Sequence, residues 1–281
     1  MSSRLTRRSL WKWLMFLGLA LWAAASLLPV AASLLDSLKS TDSIVASPLG
    51  IPTHPAFGNF AQAWRGPSLG LPLWHYAINS AIAVSIGVSV GVSIGTIAGY
   101  ALARQAEKLS WLNRYFVLLL TLPGVVTWVP LFSIASDLNI LSNPAGLGFI
   151  YAALVTPLST VLLRTYFGSF PLDLIDAAKV EGASEVRAFT RIVIRMSKGT
   201  IGMVALLQAI MLWNELALAV ILLLQSSSQT IPVGLTQFRS EFALDLGPQF
   251  AGIVIAIVPM ILLYFVTSRR VAEGMRLGTL R

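Results

Sequence analysis

The residues able to do chemistry are few, and their placement argues against bond-breaking chemistry. The chain has no cysteine and only two histidines, His54 and His75. Thiolate nucleophiles and thiolate metal sites are therefore excluded, and a histidine-based metal cluster lacks its ligands. Both imidazoles read as loop or membrane-edge side chains, and no metal site is expected. There is no G-x-x-x-x-G-K-[ST] phosphate loop, so any nucleotide hydrolysis must belong to another chain. Paired aspartates and a Ser-His set at matching depths are missing as well, which sets aside an intramembrane enzyme. Two acid-bearing segments remain. In MLWNELALAV, Trp213, Asn214 and Glu215 fall near the middle of an apolar run, where an ionised carboxylate is expensive unless paired or hydrated. Glu215 is expected to face a partner or water, either as a pathway or gating residue or as a polar clamp between helices. In DAAKVEGASEVRAFTRIVIR, Asp176 to Arg195, a charged stretch stands between two apolar runs.

Those segments are positioned by a membrane protein. Of 281 residues, 56% are hydrophobic and 11% charged, against roughly 25% charged in soluble domains. Six apolar runs approach the roughly 20 residues needed to cross the hydrocarbon layer: Trp13 to Leu35, Trp74 to Ala103, Leu112 to Ala135, Leu147 to Tyr166, Thr200 to Leu224 and Phe250 to Thr267. Inside a bilayer each must satisfy its own backbone polar groups, so the spans are helices and the fold is all-α. Basic residues alternate between the connections. Arg4, Arg7, Arg8 and Lys12 precede the first span. Arg104, Lys108 and Arg114 follow the second; Arg164, Lys179, Arg187, Arg191, Arg195 and Lys198 follow the fourth; Arg269, Arg270, Arg276 and Arg281 follow the sixth. The other loops hold Lys39, Arg65 and Arg239. The positive-inside rule then makes both termini and the DAAKVEG loop cytoplasmic. The net charge of +8 is thus a topology signal rather than a nucleic-acid footprint. TRRSLWK before LMFLGLALWAAA looks like a twin-arginine signal, but the apolar run continues past Ala25 through LLPVAASLL, so an uncleaved first span is expected.

Within the second span, Gly87, Gly91, Gly95 and Gly99 form consecutive small-xxx-small steps interleaved with Ser85, Ser89 and Ser93. A neighbouring helix can approach such a ridge closely. Pro123, Pro130, Pro157 and Pro259 interrupt apolar runs and are expected to bend their helices. The outer loop from Asp36 to Leu73 is too proline-rich for a long helix. Gln225 to Gln249, opening on QSSSQT, reads as the more mobile outer loop and a candidate contact for an external partner.

In the charged stretch, Pro171 can open a helix with Asp173 and Asp176 in its early turns. Gly182 ends it, and Ser184 caps a second helix running toward the fifth span. Ile175, Ala178, Gly182, Val186, Phe189 and Val193 recur at helical spacing. They define an apolar side to be buried against the bundle or another protein.

DAAKVEGA, with Ile192 ten residues after Gly182, resembles the EAA loop of permease subunits in binding-protein-dependent ABC importers. FGNFAQAW, INS at Ile78 to Ser80, YALAR, LRTYFGSFPLDL, WNELALA, QTIPVGL and RRVAEGM extend the likeness over nearly the full length, to the second, six-span permease of the maltose and multiple-sugar type. The resemblance implies a type I importer permease fold, with residues 1–12 as a cytoplasmic N-terminus and 13–281 as one six-span domain carrying a coupling loop at 168–199. It implies multi-pass placement in the bacterial inner membrane, a second permease as heterodimer partner, two ABC ATPase subunits and an extracytoplasmic sugar-binding protein. ATP and Mg would sit on the ATPases, with no cofactor on this chain. Asp176, Ala177, Ala178, Glu181, Gly182, Ala183, Phe189 and Ile192 would contact the ATPase. Asn79, Trp213, Asn214 and Glu215 are candidates for the translocation pathway of a carbohydrate, polyol or glycoside. The chain departs from the pattern at Asp176, where glutamate is usual, and at Arg195 and Gly199, where prolines are usual. The lost prolines predict a second loop helix running more continuously into the fifth span. Arg187, Arg191, Arg195 and Lys198 form a basic stripe that suits anionic lipid headgroups. The competing class is an ion- or proton-coupled secondary transporter without an ATPase. It would show paired intramembrane acids or an inverted repeat, and Glu215 has no counterpart in the first three spans.

Overall fold

The computed structural model describes residues 2–48, 50–67, 70–171, 173–238 and 245–278, with side chains between residues 11 and 267. The flanking Arg4, Arg7 and Arg8, Arg239, and the side chains of the RRVAEGM tail with Arg269, Arg270, Arg276 and Arg281 lie outside that description. Helix is the only extended regular structure among the described residues. In chain order the helices are α1 (Ser2–Asp36), α2 (Thr41–Ala46), α3 (Gly58–Arg65), α4 (Leu73–Arg104), α5 (Ser110–Thr121), α6 (Gly124–Asp137) and α7 (Pro144–Gly168). There follow α8 (Asp173–Val180), α9 (Glu185–Ala188), α10 (Ile194–Met196), α11 (Lys198–Trp213), α12 (Ala217–Leu222), α13 (Ile231–Thr236) and α14 (Leu246–Gly278). The all-α expectation is met.

Among the described residues, four helices are long and apolar enough to cross a membrane: α1 from Trp11, α4, α7, and α14 as far as Thr267. The third expected run is instead bent, the fifth is interrupted at residues 214–216 between α11 and α12, and a further bend precedes α11. Between α5 and α6 the axis turns by 101° at Leu122–Pro123, where proline cannot continue the hydrogen-bond ladder. Between the α9–α10 stretch and α11 it turns by 72° at Ser197. That second bend corrects the expectation of a more continuous helix. Phe189–Val193 is a π-helical turn, and Ser197 and Gly199 follow it closely; both features kink helices without any proline. Counting each bent pair as one span gives six.

The described chain packs as two compact units, residues 1–72 with 235–255, and residues 73–234 with 256–281. In the first unit, α1 leaves its side chains from Trp11 to Val30 exposed, a surface made for lipid or a partner helix. Its outer end is tied down. The buried Lys39 ammonium donates to Asp36 Oδ1 at 2.8 Å and to the carbonyls of Ser47 and Pro48 at 3.1 and 3.2 Å. Asn59 Nδ2 donates to the carbonyls of Ser37 and Lys39. The proline-rich outer loop is thus pinned to the end of α1, with α2 and α3 as its short helices. Ala63 of α3 packs with Phe238 and Ala251.

The second unit is organised around α4 and α7. A Cβ placed at Gly87, Gly91, Gly95 or Gly99 would lie 2.8, 2.7, 2.6 or 2.9 Å from Tyr151 Cβ, Ala152 O, Ser159 Cβ or Arg164 N, all on α7. Only glycine permits that approach, so the ridge is a close interface between the two helices. Asn143 accepts from the N–H groups of Ala145 and Gly146, with Pro144 as the first helical residue. This cap starts α7 in register with the ridge.

Candidate functional site

The charged loop folds as its local sequence dictates. α8 ends with the Gly182 N–H donating to Lys179 O and the Ala183 N–H to Ala178 O, the paired bonds of a Schellman turn. Gly182 has φ +83°, a conformation that costs a side-chain-bearing residue strain. Ser184 Oγ accepts the Arg187 N–H at 3.3 Å and starts α9.

The apolar side of the loop divides between two destinations. Ile175, Ala188 and Val193 are buried in one cluster with Val92 and Tyr100 of α4, Leu163 and Phe167 of α7, and Val204 of α11. Ala178 and Phe189 pack against it from the edge, the Phe189 ring lying 4.6 Å from that of Tyr100. The bundle therefore takes the inner face. Val186, grouped with that face by helical spacing, points outward and is 71% exposed; Val180 is 90% exposed. The Gly182 turn separates α8 from α9, so one helical period does not carry across it and misassigns Val186. Asp176, Ala177, Glu181 and Gly182 are exposed, while Ala183 and Ile192 are half-buried. Ala178, Glu181, Ala183, Arg187 and Ile192 line a cleft of about 220 Å³. A water-facing surface results, with two large apolar residues flanking a glycine turn.

One basic side chain unmarked as a site in the sequence reaches this loop. Arg104, the last residue of α4, lies 4.0 Å from Asp176 and 3.9 Å from Glu185, and Lys179 lies 3.7 Å from Glu185. The YALAR motif contains it at four residues from Tyr100. Arg187, Arg191, Arg195 and Lys198 are exposed and have no ion-pair partner among the described residues.

The pathway candidates separate into anchors and one open side chain. α11 ends at Trp213, whose indole Nε1 donates to Ala256 O at 3.0 Å. Asn214 is exposed, and its amide donates back to Ile210 O. Glu215 sits at the break before α12. It accepts the Tyr151 hydroxyl at 2.7 Å on Oε2, the Leu218 N–H at 2.8 Å on Oε1, and the Ala219 N–H at 3.1 Å on Oε2. The partners of Glu215 are thus Tyr151 of α7 and the open end of α12. Tyr151 had no flag in the sequence beyond being a hydroxyl inside an apolar run. Asn79 is buried, and its amide donates to Ser227 O and Gln229 O, both at 2.9 Å. Ser80 Oγ accepts the Ile231 N–H, and His75 Nε2 lies 2.7 Å from Ser227 O. These bonds bind QSSSQT, read from composition as mobile, to the N-terminal end of α4. Polar residues with free hydrogen-bonding capacity suggested mobility; the partners that consume it lie about 150 residues away.

The structure is an all-helical bundle with a two-helix loop packed on one end of α4, α7 and α11, and comparison with known proteins gives its class. Residues 91–276 match the family described as binding-protein-dependent transport system inner membrane component. The diacetylchitobiose uptake system permease protein NgcG of Streptomyces coelicolor is 32% identical over 94% of this chain and 87% of its own length. The trehalose/maltose transport system permease protein MalG of Thermococcus litoralis is 28% identical over 95% of this chain and 96% of its own. Among solved structures, a chain of a bacterial ABC transporter involved in the import of the acidic polysaccharide alginate superposes with a TM-score of 0.76. It covers 93% of this chain and 96% of that one, at 20% identity, which establishes the shared fold. The chain belongs to the binding-protein-dependent transport system inner membrane component family. It is an inner-membrane permease subunit of an ATP-driven importer, a class that works with a partner permease, an ATPase and a binding protein.

Proposed function

We propose that this chain is the second permease of a carbohydrate importer, passing a sugar, polyol or glycoside inward by alternating access and coupled to two ATPase subunits through the loop at 168–199. In this reading residues 13–281 form one six-span domain with both termini cytoplasmic, and residues 1–12 form the N-terminal flank. The substrate class rests on relatives named for diacetylchitobiose and for trehalose and maltose. The observation that carries the coupling assignment is the outward pair Val180 and Val186 beside the Gly182 turn. Large apolar side chains on a water-facing loop gain by being covered, and Asp176, Ala177, Ala178, Glu181, Ala183, Phe189 and Ile192 surround or support them. Asn214, exposed at the break after α11, is the side chain best placed to meet substrate. Trp213, Glu215 and Asn79 shape the path by holding backbone in place. ATP and Mg belong to the ATPase, and this chain binds neither.

The test is purification of the tagged chain from its native membrane in mild detergent, with co-purifying proteins identified by mass spectrometry. An ATPase and a second permease are expected. A homo-oligomer without an ATPase, reproduced after cross-linking, would transfer the assignment to a secondary transporter.

A further inference from the structure

The cytoplasmic end of α4 touches the loop through two residues one helical turn apart. Tyr100 lays its ring against Phe189 at 4.6 Å and edge-on to Phe167 at 5.7 Å. Arg104, its side chain 19% exposed, stands between Asp176 on α8 and Glu185 on α9 at 4.0 and 3.9 Å. A single guanidinium thus faces carboxylates on both sides of the Gly182 turn. Both carboxylates are themselves more than half exposed, at 65% and 52%, and both separations exceed hydrogen-bonding distance. Contacts of this length hold by charge and can lengthen or shorten without an intervening state in which a bond is broken. Meanwhile the rest of α4 is locked to α7 along the glycine ridge, so whatever displaces its end displaces the helix.

From this geometry we infer that Arg104 is a positioning residue that ties both helices of the coupling loop to α4, so that loop motion is delivered to the α4–α7 pair directly and not only through the chain on either side of the loop. The inference rests on the loop being the ATPase contact. A planar guanidinium can serve two carboxylates in different directions at once, which a lysine ammonium does less well. Asp176 and Glu185 keep open sides toward water, so pairing with Arg104 leaves them free to meet a basic group on a partner.

The absence of cysteine makes the test direct. The complete transporter is assembled with spin labels on Gln105→Cys and Asp173→Cys of this chain, the latter an exposed position on α8 outside the ATPase-contact set, and the label distance is read by pulsed electron resonance with and without ATP and Mg. The parent is expected to keep one narrow distribution in both states. Arg104→Gln is expected to broaden it in the ATP state, Arg104→Lys to broaden it less, and the pair Asp176→Asn with Glu185→Gln, Arg104 kept, to broaden it as Arg104→Gln does. An unchanged distribution in Arg104→Gln overturns the inference. So does a narrow distribution with both carboxylates neutralised, because then the arginine acts by packing alone. Where Arg104→Gln fails to assemble, the Lys and neutralised-carboxylate variants decide by the same criteria. Val186→Asp, measured as ATPase retained on the purified chain, tests the underlying assignment separately. Full retention removes the coupling loop from the ATPase contact whatever Arg104 does.

Discussion

α4 is held in two contrasting ways along its length. From Gly87 to Gly99 it lies so close to α7 that no Cβ fits between them, whereas at Tyr100 and Arg104 it meets the charged loop through one ring contact and two long charge contacts. The first interface is short-range and all-or-none; the second is graded. A helix gripped rigidly in the middle and elastically at the end can move as a body with its partner while the loop that drives it adjusts. Close packing of the kind seen at the ridge transmits displacement because it cannot be compressed.

The comparison can be broken most severely at the ridge. Gly91→Val places a side chain against Val155 and the Ala152 backbone, and is expected to cost about 3 kcal/mol, the upper end of overpacking penalties. Loss of monodisperse protein after extraction is the expected result, and a parental yield would show that the ridge is not tight. Next comes Glu215→Ala, which strands the Tyr151 hydroxyl and two N–H groups; with water recovering part of the loss, about 2 kcal/mol is expected. Assembly should survive while uptake falls about thirtyfold, since each 1.4 kcal/mol is one decade. Unaltered uptake would reduce the clamp to a passive contact. Gly182→Val meets open space, so only the left-handed backbone strain of about 1–2 kcal/mol applies. Folding should persist with ATP hydrolysis uncoupled from uptake, and Gly182→Asn should recover coupling. Normal coupling in the valine variant would discredit the loop assignment.

At the N-terminal end of α4, Asn79→Ala removes two hydrogen bonds of about 1 kcal/mol each. Faster amide exchange confined to 225–230 is expected; no change would mean that Ser80 and His75 suffice. The smallest effect is at the basic stripe. Arg191→Gln with Arg195→Gln should lower the dependence of transport on anionic lipid, each charge contributing about 1 kcal/mol near the bilayer surface. Equal activity of parent and variant across lipid compositions would leave the stripe as topology charge alone.

What could be read in the sequence follows how local each interaction is. The ridge at Gly87, Gly91, Gly95 and Gly99 is written in a four-residue period, and the Gly182 turn with its Ser184 cap depends on a few neighbouring residues. Both are present in the structure as expected. The family was legible for the same reason, because its motifs are short. The bend at Ser197 was not, since it arises from a π-helical turn that buries Ala188 and Val193 against distant helices. Tyr151 and Glu215 are separated by 64 residues, and Arg104 from Asp176 and Glu185 by the three helices α5 to α7. No periodicity reports such pairings. The same holds for QSSSQT, whose polar composition signals a free loop until Asn79 is seen to hold it.

The Lys39 ammonium, satisfied by Asp36 and by two carbonyls eight and nine residues further on, bears on how this chain can change over generations. A deletion between Ser40 and Pro48 would pull those acceptors away and leave a buried cation with an incomplete shell, which protein interiors tolerate poorly. Insertions beyond Pro48 leave the clamp intact. Drift in the length of the outer segment is therefore channelled to one side of a fixed point, and relatives of this chain should vary in the spacing after Pro48 far more than in the stretch before it.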